Sequence, residues 1–231
     1  MWAYLAAKKG KLAEAPAAAA DMASKVNEAT TGQDSQFPVL AKSPLYVRES
    51  MMFPYTKGLQ FQDAVYKRLG QQSFTAVFDH APASTQQVLH PEIYAKLTKP
   101  VEVKLPELAD HKKFRLLAEG SVGELDEQIL LTEYFDQKTA TEISINWRGG
   151  AFRLYESKLG KQPVLQSALA WDSENTAKRH FDIYKQLLKK KWDKFEVKTE
   201  TETELTGVGE YGPFRLLRDG AVVFSTEGGL H

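Results

Sequence analysis

Cysteine is absent from this 231-residue chain. That excludes a disulfide framework, a thiolate nucleophile and any sulfur-ligated zinc or iron–sulfur centre. An excess of either charge is also absent, since 30 basic residues balance 30 acidic ones. A balanced chain lacks the basic footprint that nucleic-acid and anionic-membrane binders use, so neither partner is expected. No apolar run approaches the roughly 20 residues that span a bilayer, so no transmembrane segment is expected. The opening residues do not read as an export signal, because Lys8, Lys9 and Lys11 follow the short apolar run rather than precede it. The default expectation is cytoplasmic, or exported if a longer precursor exists.

The motifs of common catalysts are missing too. Five histidines, His80, His90, His111, His180 and His231, never stand three or four residues apart, so no helical pair can grip a metal from one face. There is no Gly-x-Ser-x-Gly nucleophile elbow and no glycine loop followed by Lys-Ser/Thr. Neither a metal nor a cofactor is expected. Gly149-Gly150 and Gly228-Gly229 read as turns, and the acidic residues from Glu196 to Glu204 as solvated charge on a strand.

What is present has three textures. Residues 1–36 are alanine-rich, with helices expected in Trp2–Lys9 and Ala17–Ala29. Residues 37–110 read as mainly helical. Phe61, Ala64, Val65 and Leu69 form a helical stripe ending at a cap glycine, Gly70. Ser84 and Gln87 have capping-box spacing, and Pro91 ends or kinks that helix after His90. Residues 111–231 mix both types. Phe114–Ala118 reads as a strand, and Ser121 with Glu124 as a second capping box opening a helix to about Phe135.

Ala151–Ser157 and Val164–Trp171 read as a hairpin, and Asp172 or Ser173 as the cap of a helix carrying Ala177, Phe181, Tyr184, Leu188 and Trp192. Lys194–Leu205 alternates as one long half-buried strand, and Asp219-Gly220 marks a hairpin turn. The fold class expected is α+β, with a helical N-terminal half and antiparallel hairpins packed on helices in the C-terminal half.

One stretch is dense in side chains able to do chemistry: Phe53-Pro54-Tyr55, then Ser84 to Tyr94. Local physics gives each a structural role, with Ser84 and Gln87 capping and His90 complementing a helix dipole when protonated. The same stretch, from Met51 to Phe61 and from Ser84 to Tyr94, resembles a poorly characterised group of prokaryotic zinc peptidases that carry FPY-x-x-G-x-x-F and STEQ-(I/L/V)-LHP-x-x-Y segments. Ser144 to Gly150 is similar to their GW-x-GD element, and Leu169 to Phe181 to their WDT element. The resemblance runs in order from about residue 40 to 192.

In that group the zinc ligands, an HExxH pair and a glutamate on a following helix, lie upstream of these elements. Met1–Leu5 resembles the continuation of that glutamate helix, so the resemblance implies a chain that starts after the last ligand. It departs from the pattern at Gln86, where the group has glutamate, and at Gly150, where it has aspartate. His90 matches and would be a catalytic remnant, able in an intact site to donate to a developing oxyanion. The resemblance implies a groove near Tyr55, Gln87, His90 and Trp147 that binds a peptide or a partner protein. Three readings follow: a non-catalytic, peptidase-derived binding or structural module; the C-terminal portion of a metallopeptidase whose zinc-binding half is another polypeptide or part of a longer precursor; or an accessory subunit of a larger complex.

Overall fold

The computed structural model describes residues 24–25, 37–108 and 110–229. Apart from Ser24 and Lys25, which are helical, the alanine-rich segment and its expected helices lie outside these residues, as does His231. The chain divides into two compact units, with the boundary between Lys99 and Pro100. The architecture is α+β, helical first and then a seven-stranded antiparallel sheet with helices.

The first unit is built from short helices: α1 (Pro38–Ala41), α2 (Leu45–Met52), α3 (Lys57–Leu69), α4 (Ser73–Asp79), α5 (Thr85–Leu89) and α6 (Pro91–Ala95). A 3-10 turn, Phe53–Tyr55, joins α2 to α3. The expected stripe of α3 is present, with Leu59, Phe61 and Val65 buried. Gly70 ends it at φ 57°, a left-handed conformation that glycine adopts without a Cβ penalty. Ser84 caps α5, its Oγ accepting from Gln87 N at 3.4 Å. Gln87 does not close the box on Ser84, because its Oε1 accepts from Ala83 N instead, at 2.6 Å. Pro91 opens α6 at its first turn, where its missing N–H costs nothing. Phe61, Val65 and Tyr94 form the buried centre, with Val77 and Val88 against them.

The second unit carries β1 (Phe114–Ser121), α7 (Glu124–Tyr134), α8 (Gln137–Ser144), β2 (Trp147–Ser157), β3 (Pro163–Trp171), α9 (Glu174–Lys191), β4 (Phe195–Glu200), β5 (Glu204–Gly209), β6 (Gly212–Asp219) and β7 (Val222–Gly228). The sheet order is β1-β2-β3-β7-β6-β5-β4. Register places Leu205 opposite Leu216, Leu216 opposite Ser225, and Val223 opposite Leu169, so these residues share one face. That face packs on α7, α8 and α9 through Leu131, Ile143, Phe181, Leu187, Leu188 and Trp192.

Several local expectations change. The cap of α7 is Gly123, whose N–H donates to Asp126 at 2.7 Å; Ser121 is the last residue of β1, so the cap lies two residues later than the Ser121–Glu124 pair suggests. Of the two candidates for α9, Ser173 is the cap, accepting from Thr176 N at 3.2 Å. The stretch from Lys194 to Leu205 is two strands rather than one. Thr201 Oγ1 accepts from Glu204 N at 2.9 Å and Thr203 N at 3.3 Å, a side-chain turn that reverses the chain. Gly149 and Gly150 are not a turn but lie inside β2. A Cβ on Gly149 would stand 2.0 Å from the Val101 carbonyl oxygen, because residue 101 runs against β2 and donates its N–H to Arg148 O. The Asp219-Gly220 turn is present, with Gly220 at φ 55°.

Candidate functional site

The residues expected to form one groove do not all reach a surface. Tyr55 does, with 45% of its area exposed. Gln87 is buried, and its amide is spent on the backbone, accepting from Ala83 N and donating to Thr98 O at 2.8 Å. It therefore ties the end of the helical unit to the start of α5, and is no contact residue. Trp147 is 2% exposed and belongs to the hydrophobic core of the second unit, facing Trp171 across the β2–β3 pair. His90 sits at the α5–α6 joint. Its N–H donates to Gln86 O, its carbonyl accepts from Ile93 N, and its Nδ1 stands 3.7 Å from Glu92 Oε1.

The dense stretch nonetheless builds a hollow. Its volume is 490 Å³, and Phe53, Pro54, Gly58, Leu59, Phe61, Gln62, Val77, Phe78, Pro82 and Val88 line it. Both motif segments contribute, the first through Phe53 to Phe61 and the second through Val88. They are locked together by Phe61 and Tyr94, whose rings meet edge-on with centroids 4.9 Å apart. Tyr94 in turn donates its hydroxyl to His80 O at 2.7 Å, and burial raises its pKa. No lining residue carries a charge. Phe78 stands at the edge with 86% of its area exposed. Sequence reading passed over Phe78 because its place in α4 looks like any apolar helical position.

The second unit buries several of its ionisable groups. Glu127 Oε1 and His180 Nε2 are 2.9 Å apart, each residue 1% exposed, and the His180 ring lies tilted against Trp171 with centroids 4.5 Å apart. With the carboxylate ionised, the ring N–H is the donor. Nearby, Glu227 accepts from Tyr184 Oη at 2.5 Å, Ser225 Oγ at 3.0 Å and Lys191 Nζ at 2.6 Å. Burial first, and then the Glu227 carboxylate, push the Tyr184 hydroxyl well above its usual pKa. These partners lie on α7, α9 and β7, separated by 53 residues in one pair and 43 in another, so no local motif announces them.

The cluster pairs most of its buried donors and acceptors with one another, while His180 Nδ1 is buried without a hydrogen-bond partner. Among the described residues no group of three or more His, Cys, Asp or Glu stands close enough to hold a metal ion. Likewise, no helix among them is long and apolar enough to cross a membrane.

The lysines of α9 are likewise engaged within the unit. Lys190 donates to Tyr134 O at 2.7 Å and lies 4.0 Å over the Phe135 ring, while Lys185 pairs with Glu200.

No curated protein and no solved structure matches this chain significantly. One family model does match, over residues 57–229, from the first residue of α3 to the end of β7. That span is most of the chain, and the protein belongs to the family DUF8575, described as a domain of unknown function.

Proposed function

We propose that this protein is a non-catalytic, peptidase-derived binding module, and that its working surface is the uncharged hollow beside Phe78. The carrying observation is the combination of an apolar concavity with an aromatic side chain left 86% exposed at its edge. Interface cores are depleted in charge and enriched in aromatic residues, and this lining has that composition. The occupant is an apolar or aromatic side chain presented by a peptide segment of a partner protein. Exposed Tyr46, Met51 and Tyr55, on α2 and the 3-10 turn that leads into the hollow, extend the apolar surface.

Two features support the non-catalytic part of the reading. At Gly150 a side chain would meet the Val122 carbonyl oxygen at 2.6 Å, so this fold has no room for the carboxylate that the resemblance would place there. His90, the remnant candidate, is engaged in joining two helices rather than in lining the hollow.

Selection of the full chain against a displayed peptide library tests this. Enriched peptides should share an apolar or aromatic anchor and should lose affinity for Phe78→Ser and Val88→Asp. Peptides that bind both variants as well as the parent, or a well-folded protein that enriches none, would overturn the reading.

A further inference from the structure

A second hollow in the helical unit has a different chemistry. Its volume is 380 Å³, and no residue lines both. Three small residues on three helices make the space: Ala64 of α3, Ala76 of α4 and Ala95 of α6. Val65 and Tyr94, both buried, close its floor. The rim carries two charged side chains where the first hollow has none, Arg68 and Glu92, with the His80 ring beside an apolar interior. Arg68 is exposed and forms no ion pair among the described residues. Glu92 is turned to His90, 3.7 Å from its Nδ1.

The lip holds a further peculiarity. Leu97 also lines the hollow, at φ 52°, a left-handed conformation that costs an ordinary residue about 1–2 kcal/mol. It follows the last turn of α6, where glycine is the usual occupant, and its N–H donates to Tyr94 O at 2.8 Å. The leucine side chain is half exposed there, so burial does not compensate for the strain. Strain of this kind, kept beside a concavity, is characteristic of binding sites.

From these observations we infer that this hollow binds a small organic carboxylate with an unbranched apolar tail, head on Arg68 and tail among the three alanines. Volume and lining suit a small-molecule site, with an apolar interior and few polar groups to fix orientation. A guanidinium presents its donors in a fork that matches a carboxylate. The inference does not depend on the peptide-binding hollow, since the lining residues are separate.

Isothermal titration of the full chain with decanoate and with decanol is the test. Decanoate should bind at least about tenfold more tightly than decanol, the increment expected of a charge-assisted contact. Arg68→Gln should bring decanoate down to the level of decanol, whereas Glu92→Gln should strengthen it by removing a like charge. Ala76→Leu should abolish binding of both. Leu97→Gly relieves the backbone, so it should keep thermal stability while weakening both ligands, and it remains informative if Ala76→Leu fails to fold. Absence of decanoate binding at millimolar concentration, or binding indifferent to Arg68→Gln and Leu97→Gly, would overturn the inference.

Discussion

The two units differ in the charged groups they bury. In the sheet unit Glu127, His180, Tyr184 and Glu227 are taken out of water and paired, Glu127 with His180 and Tyr184 with Glu227. In the helical unit the buried apolar side chains among the described residues are Leu59, Phe61, Val65 and Tyr94, with two valines packed against them, while Phe78, Val39, Tyr46 and Met51 are exposed. Buried ionic pairs add little net stability, yet breaking one is costly. Exposed aromatic surface adds no stability and becomes favourable only when something covers it. On the proposed reading, the sheet unit holds shape and the helical unit meets a partner.

Replacing one half of the buried pair should break this contrast most severely. Glu127→Ala or His180→Ala leaves an uncompensated buried group, at about 3–5 kcal/mol of stability by denaturant titration. Replacing both with leucine should recover much of that loss.

Gly209→Ala comes next. Its Cβ would stand 2.5 Å from the Trp192 ring, in a core that includes Phe214, and such overpacking costs about 1–3 kcal/mol.

Tyr184→Phe should cost about 1–3 kcal/mol by removing a donor from buried Glu227. It also has a pH signature. The tyrosine pKa is raised in the folded state, so the folded protein holds a proton that the unfolded chain releases. The resulting stability is complete below the unfolded tyrosine value near 10 and is lost as pH rises above it. Tyr184→Phe should therefore flatten the alkaline side of a stability profile.

Phe78→Ser should change stability least, within about 0.5 kcal/mol, because the ring is exposed. A large loss there would mean that the ring packs into the fold, and the contrast would fail.

Much of this architecture is legible in the sequence where local physics decides. Gly70 ends α3, Ser84 and Ser173 cap their helices, and Asp219-Gly220 turns a hairpin. Each is a signal contained within four residues. Reading fails where the deciding partner is remote or the signal is ambiguous. Thr201 sits in a run of alternating residues that looks continuous, and only its hydroxyl bonds to Thr203 and Glu204 show the break. Gly149 looks like a turn until Val101 is seen against it. Tyr184 was visible as part of an apolar stripe, but its hydroxyl partner lies 43 residues away.

The hollow itself was half legible. The motif segments Phe53 to Phe61 and Ser84 to Tyr94 do meet, through Phe61 and Tyr94, yet the exposed aromatic residue lining the hollow is Phe78, outside both segments, and Gln87 and Trp147 are buried.

The most direct test of the central claim is hydrogen exchange, read by mass spectrometry, on the full chain with and without a selected peptide. The account predicts protection gained in 53–62 and 77–88, the segments that line the uncharged hollow, with 114–228 unchanged. Protection confined to 114–228 would contradict it, and would place the working surface on the sheet unit.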